Sequence, residues 1–230
     1  IKNWIDLFDS NHTIYANKRH LHSHFKLIAK EISGLIPSKE ALVIDFSCGE
    51  AIYAFNVAEN CKKLILAEPA PGIRGNLKNR FSNNPKIEIH TIESLNTIKD
   101  NSIDLVVMHS VSQYMNDKEF DNALYRINKV LKNSGIFVLG DVLPETLSTF
   151  DDALELLKFA IKENFFIAAL VSLVKTLFSN YRKIRSKIGV NKFSDKYIKE
   201  ILRNKGFNAI RQEKNIGHNS KRITYLSYPR

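Results

Sequence analysis

The chain has 230 residues, 44% of them hydrophobic, and a formal net charge of +10; that length suits one large domain with a substantial core. Lys, Asn and Ile are spread along the whole chain, so the charge reads as a habit of composition, and a nucleic-acid partner is disfavoured. Only Cys48 and Cys61 occur, both within strand and helix patterns, so a disulfide framework is not indicated and a reducing, cytoplasmic setting fits, while the most apolar run, Phe165 to Val174, is well short of the roughly 18 to 20 residues a membrane span needs.

In chain order, Leu21, Phe25, Ile28, Ala29 and Ile32 recur at helical spacing, and Gly34 with Pro37 closes that helix. Ala41 to Asp45 reads as a buried strand, about Ala51 to Glu59 as a helix, Leu64 to Ala67 as a second strand, Lys86 to His90 as a third and Asp104 to His109 as a fourth. Asn116 and Glu119 have capping-box spacing, and Phe120, Leu124, Ile127 and Leu131 form one helical stripe that is expected to stop at Asn133-Ser134-Gly135, before a fifth strand from Ile136 to Leu139. Leu147 to Ser186 reads as helical throughout, a long insertion containing the densest basic stretch, Tyr181 to Lys187. A last helix, Ser194 to Lys205, ends at Gly206, and Phe207 to Gln212 with Ile223 to Tyr228 alternate as a terminal antiparallel pair. Five strands separated by helices predict an α/β, doubly wound, mostly parallel sheet. One domain over 1–230 is expected, with cap helices in 1–40, a ligand-binding core in 41–146, the helical insertion and final helix in 147–205, and the terminal β pair in 206–230.

In such a sheet the ligand crevice lies beyond the carboxyl ends of the strands, where the strand order reverses. The first strand runs into Asp45-Phe46-Ser47-Cys48-Gly49-Glu50, a turn whose Gly49 and small Ser47 let the backbone come close to a ligand. The second ends in Ala67-Glu68-Pro69. An acid about 20 residues past a glycine turn accepts hydrogen bonds from ribose hydroxyls, which implies a nucleoside-containing cofactor. Ser47 to Tyr53 holds one glycine, so a dinucleotide, whose pyrophosphate wants G-x-G-x-x-G, loses ground.

Leu42 to Glu50 resembles the first motif of the class I, S-adenosylmethionine-dependent methyltransferases, a strand followed by an acid, an apolar residue and a glycine-rich turn. Leu64 to Pro69 is similar to their second motif, Ile103 to Tyr114 to their fourth-strand segment, and Leu131 to Leu139 to the helix and strand that follow. The resemblance runs from about Ala41 to Val142 and is echoed in Gly206 to Tyr228. It implies a Rossmann-like seven-stranded sheet with a helical lid after strand five, and S-adenosylmethionine as cofactor. Asp45, Ser47, Cys48 and Gly49 would line its methionine end, Glu68 with Pro69 its ribose, and Ile92 and Glu93 its adenine, with His109 and Ser110 beneath the methyl group. Tyr15 and Arg19 would cover its carboxylate. Ser47 and Ala51 stand where the family usually has glycines, and Thr91 where many members have an acid.

Several polar residues invite a role at the acceptor. His109 and His218 are candidate proton acceptors, because imidazole titrates near neutrality. Tyr114, Asn219 and Arg222 are candidate acceptor contacts, with Arg222 suited to a carboxylate or phosphate. His20 and His24 share a helix face near His22, but no acid or cysteine lies near them in sequence, so no metal site is expected. The expected activity is in-line methyl transfer to a small molecule, apolar or anionic. A non-catalytic cofactor-binding module and an RNA or protein methyltransferase stand as alternatives. No Asn-Pro-Pro-Tyr-like segment follows strand four, where His109-Ser110-Val111-Ser112 stands instead.

Overall fold

The computed structural model describes residues 4–9, 15–177 and 189–230. The basic stretch Tyr181 to Lys187, and the end of the predicted insertion up to Ser186, lie outside the described residues. The elements are α1 Trp4–Phe8, α2 Lys18–Ser33, β1 Leu42–Phe46, α3 Ala54–Ala58, β2 Lys63–Ala67, α4 Pro71–Phe81 and β3 Ile87–His90. They continue as β4 Ile103–His109, α5 Asp117–Val130, β5 Leu131–Val142, α6 Thr149–Lys162, α7 Phe166–Leu177, α8 Asp195–Asn204, β6 Phe207–Arg211 and β7 Ile223–Pro229.

The seven strands form one sheet in the order β3-β2-β1-β4-β5-β7-β6, parallel from β3 to β5, with β7 antiparallel to both β5 and β6. Because side chains alternate across a strand, each strand feeds two cores. Val43, Leu66, Leu105 and Val107 pack beneath Ile28 and Ile32 of α2, Val57 of α3 and Leu77 of α4. Their neighbours Ile44, Phe46, Val106 and Met108 pack with Phe120, Leu124 and Ile127 of α5 and Ile198 and Leu202 of α8 on the opposite face. Both faces are therefore covered, which is what continuous apolar strands demand. The strand order reverses between β1 and β4, and their carboxyl ends open into the same space.

Local sequence explains most element boundaries. Asn116 and Glu119 form a reciprocal capping box at the start of α5, and Ser148 with Asp151 forms another on α6. Three expectations need correction. Helix α5 stops at Val130, because Leu131 leaves helical geometry to pair with Ile103, and the Asn133-Ser134-Gly135 stretch is an irregularity within β5. A side chain at Gly135 would run into Leu131 and the Ile103 carbonyl, so glycine permits that close approach. The helix expected from Ala51 begins only at Ala54, since Ala51 turns left-handed at φ 37°. The insertion is broken at Glu163–Phe165, where Asn164 at φ 59° reverses the chain between α6 and α7.

Candidate active site

Left-handed backbone at residues other than glycine is costly, and such residues collect at sites where function holds them. Six occur among the described residues: two are asparagines in turns, Asn101 and Asn164, and the other four stand at the carboxyl end of the sheet. Ser47 (φ 57°) and Ala51 (φ 37°) follow β1, Ser110 (φ 60°) follows β4, and Asp141 (φ 60°) lies near the end of β5. With Gly49 at φ 60°, the turn after β1 puts every second residue in the left-handed region. Ser47 and Ala51 thus keep the backbone shape of a glycine-rich turn without its glycines.

The Glu68 carboxylate bridges the ends of β1 and β2. It is buried, and its oxygens accept from the Gly49 amide at 2.8 Å and the Ala70 amide at 2.8 Å. Burial raises its pKa, while those two amides draw it back down. Asp45 is pushed up to about 7, first by burial and then by the negative Glu68, so near neutrality it is partly protonated. The Cys48 thiol is held well above its ordinary range by burial and by Asp45, which leaves it a packing group and not a nucleophile.

These groups line one end of a cleft of about 1340 Å³. Pro69, Ile92 and Glu93 continue that lining, and Arg126 donates to the Ile92 carbonyl at 3.1 Å. Thr91 turns inward to accept from the Ser94 amide. Over the mouth lies α1: Trp4 and Phe8 pack on the Tyr114 ring at 4.4 and 5.3 Å, and Asp9 accepts from the amides of Gly72 and Ile73 at the start of α4. Gln113, also at the cleft, is buried with its Oε1 lacking a hydrogen-bond partner.

The other end is a chamber of histidines and aromatic rings. His109 is seated between Gly140 and Gly217, where a Cβ would come within 3.1 and 3.3 Å of its ring. Its Nε2 donates to the Ile216 carbonyl at 3.1 Å. Around it stand His24, at 6.3 Å between ring centroids, and His218, at 6.1 Å from His24 and 6.4 Å from His20. Tyr15 closes the side, 5.3 and 5.5 Å from the rings of His20 and His24, with its hydroxyl pKa raised by burial. Phe159 stacks on His218 at 4.7 Å and Phe165 on His20 at 4.8 Å, so α6 and the bend after it roof the chamber. Burial, with the neighbouring imidazoles, lowers the pKa of His20 to about 4 and that of His24 well below its ordinary value. Burial also lowers His218, with Asp141 opposing. His20, His24 and His218 are therefore neutral near pH 7.

Behind it runs an ionic strut. Arg222 donates to Asp141 at 2.5 Å and to Asp152 of α6 at 3.0 and 3.2 Å. Burial would raise the Asp141 pKa, but Arg222, His109 and the Ser110 hydroxyl bring it down to about 2. Ser110 donates to Asp141, and Asn215 donates to the same carboxylate at 2.9 Å.

The cleft thus gathers Tyr15, Asp45, Ser47, Cys48, Gly49, Glu68, Pro69, Ile92, Glu93, His109, Ser110, Tyr114, His218 and Arg222 from the sequence-predicted set. Two members fall elsewhere. Arg19 is exposed, outside the cleft lining, and donates to the Asn164 carbonyl at 3.4 Å. Asn219 is buried against α6, its side-chain NH2 donating to Asp152 at 2.7 Å and its oxygen accepting from the Lys221 amide, so its polar atoms hold the hairpin in place. Arg222 reaches the cleft with its guanidinium already paired to the Asp141 and Asp152 carboxylates. His20, His24, Gln113 and Asp141 were missed as site residues. The shared helix face of His20 and His24 was the sequence signal for them, weighed there as a metal motif and set aside.

Residues 44–139 match the family model described as "Methyltransferase domain". Among solved structures the chain is similar to the proposed methyltransferase in a complex with the Trm112 methyltransferase activator from Haloferax volcanii, with 13% identity, TM-score 0.65, and coverage of 100% of this chain and 99% of that one. It is also similar to magnesium protoporphyrin IX methyltransferase from Synechocystis, solved with bound S-adenosylhomocysteine: 13% identity, TM-score 0.60, and coverage of 99% and 93%. A third likeness is to an S-adenosylmethionine-dependent methyltransferase from Leishmania major, at 12% identity, TM-score 0.61, and coverage of 98% and 80%. No curated protein matches the chain in sequence.

Proposed function

We propose that the protein, whose residues 44–139 match the methyltransferase-domain model, is a class I methyltransferase that transfers a methyl group from S-adenosylmethionine to a small molecule held in the histidine chamber. The observation that carries this reading is the meeting, at the reversal point of the sheet, of the left-handed turn Ser47–Ala51 with the Glu68 carboxylate, next to that roofed chamber.

The residues fit the cofactor. Glu68 keeps lone pairs for ribose hydroxyls beyond those used by two amides, and Asp45 and the turn face a cationic amino-acid end. Pro69, Ile92 and Glu93 offer a partly apolar edge for the base, and the unpartnered Gln113 oxygen supplies one more acceptor. S-adenosylmethionine, when bound, supplies a methyl group on a positively charged sulfur, displaced in line, so that orientation and exclusion of water provide much of the rate. His109, locked by two glycines and the Ile216 carbonyl, forms a rigid floor with Ser110. Tyr114, under Trp4 and Phe8, walls the junction of the two ends. A hydroxyl acceptor would pass its proton to His218 or His24 as its oxygen takes the methyl group, and an amine would do so after taking it; burial keeps both imidazoles unprotonated at pH 7, and so free to accept, while lowering their basicity.

The roof formed by Phe159 and Phe165 suits a small, largely apolar acceptor better than a nucleic-acid strand or a protein loop. The strut neutralising Arg222 removes the reason to expect an anionic one. Two buried, unpaired cysteines complete the reading with a reducing, cytoplasmic setting. Calorimetry tests it: wild type should bind S-adenosylmethionine, and Glu68→Ala should bind at least tenfold more weakly, as expected for losing a charged hydrogen-bond acceptor of about 1.5–3 kcal/mol. Equal binding by both proteins, or none by wild type, rejects the cofactor assignment. Labelled methyl transfer into a small-molecule extract, lost in a His24→Phe/His218→Phe double variant, tests the acceptor chamber.

A further inference from the structure

Eight of the thirteen large apolar side chains that are exposed among the described residues lie on α6 and α7. Water-exposed apolar residues are ordinary when scattered, but a concentration of this kind marks a surface made to meet something. The spacing makes it one stripe. Phe150, Leu154 and Ile161 follow one side of α6, and Ile167, Val171 and Val174 follow α7 at i, i+4 and i+7; they are 40 to 78% exposed. The inner side of the same hairpin is spent on the chamber, through Phe159, Ala160, Phe165 and Ala169.

Beside this stripe lysines outnumber the acids Asp151 and Glu163. Lys158 and Lys162 interrupt the α6 stripe and Lys175 ends the α7 stripe, all three exposed. The acids of α6 turn elsewhere. Asp152 goes to Arg222, Glu155 accepts from Ser220 as well as Lys158, and Asp151 caps the helix start.

We propose that the outer face of the α6–α7 hairpin seats the protein on an anionic lipid bilayer surface. Exposed apolar side chains would enter the boundary between headgroups and acyl chains while the lysines meet lipid phosphates, as in helices that lie in an interface. No helix among the described residues is long and apolar enough to cross a membrane. A second copy of the chain is the poorer occupant, because a symmetric contact through this face would bring lysines against their own counterparts in a chain of net charge +10. The inference does not depend on methyl transfer, although a hairpin with lipid on one side and the chamber on the other would suit an apolar acceptor.

Vesicle flotation with the full chain tests it. Wild type should float with phosphatidylcholine vesicles containing 30% phosphatidylglycerol, about tenfold more than with phosphatidylcholine alone, and added salt should weaken the binding. Ile167→Asp/Val171→Asp should abolish flotation, and Lys162→Glu/Lys175→Glu should reduce it to the level on neutral vesicles. Both variants change exposed positions, so the thermal midpoint should stay within a few degrees of wild type. Failure of wild type to float with anionic vesicles overturns the proposal, as does flotation unaffected by both variants. Sedimentation showing a dimer that Ile167→Asp/Val171→Asp dissociates, without vesicle binding, would assign the face to a second copy.

Discussion

At one end of the cleft, backbone geometry and carboxylates do the holding: a turn with Ser47, Gly49 and Ala51 left-handed, tied to Glu68 by an amide hydrogen bond. At the other end, neutral imidazoles stand among aromatic rings, and an Arg222–Asp141–Asp152 strut behind them carries the charge. Under the proposed function the first end would hold a ligand with hydroxyls and a positive charge beside Asp45, whose pKa burial and Glu68 raise to about 7. The second is walled by Phe159 and Phe165 with His20, His24 and His218 neutral, which under the proposed function would suit an apolar acceptor. Strain stabilises nothing by itself, so each end must be held by its surroundings, and the two differ in what holds them: sheet hydrogen bonds in one case, packing and an ion network in the other.

The largest disruption of that contrast comes at Arg222. Asp141 is buried, and its pKa of about 2 depends on the guanidinium overcoming the cost of burial. Arg222→Met leaves that carboxylate without its cation, so urea unfolding should show a loss of about 3–5 kcal/mol. A variant as stable as wild type would mean that the strut contributes nothing to the chamber. Next comes acid. An unfolded histidine takes up a proton near 6.5 and folded His20 only near 4. As pH falls through 6.5 the unfolded state therefore gains protons that the native state refuses, and stability drops until about pH 4, by roughly 3 kcal/mol from this residue. His24 and His218, also lowered, act with the same sign. His20→Phe should flatten that part of the stability profile, measured by urea midpoints from pH 7 to pH 4.

How far these two ends can be read in the sequence follows from how they are made. Asp45, Ser47, Gly49 and Glu68 lie at the tips of apolar runs, and a run that announces a strand also announces its end. The chamber draws on α2, the end of β4, the bend after α6 and the terminal hairpin, and no spacing in the chain connects His24 with His218 or Phe165 with His20. The same holds for Arg222 and Asn219. Each is a polar residue in a turn-rich stretch, and only the docking of α6 shows that Asp152 consumes both. The sheet itself was legible, terminal antiparallel pair included, because alternation and buried runs depend on nearby residues. Leu131 misled for the opposite reason: it fits the apolar stripe of α5, yet pairing with Ile103 overrides the local preference.

The cofactor end has its own pH dependence, of smaller size. Asp45, pushed up to about 7 by burial and by Glu68, must release a proton to meet a cationic ligand. Calorimetry should find S-adenosylmethionine bound about tenfold more weakly at pH 6 than at pH 8, a difference of about 1.4 kcal/mol. Asp45→Asn should remove that dependence.

The smallest effect probes the strained turn directly. Ala51 sits at φ 37°, where an L-residue is disfavoured by roughly 1–2 kcal/mol and glycine is not. Glycine loses about 0.5–1 kcal/mol more than alanine in ordering its backbone. The two terms leave Ala51→Gly more stable than wild type by about 0.5–1 kcal/mol. Ala51 is also buried, so the lost methyl group takes back part of that gain, and Ser47→Gly, at a half-buried position with φ 57°, is the cleaner test. Thermal unfolding of the two variants should therefore rank Ser47→Gly at or above Ala51→Gly, both at or above wild type. A loss of stability in Ser47→Gly would show that the serine side chain, and not the left-handed backbone alone, holds the turn against β2.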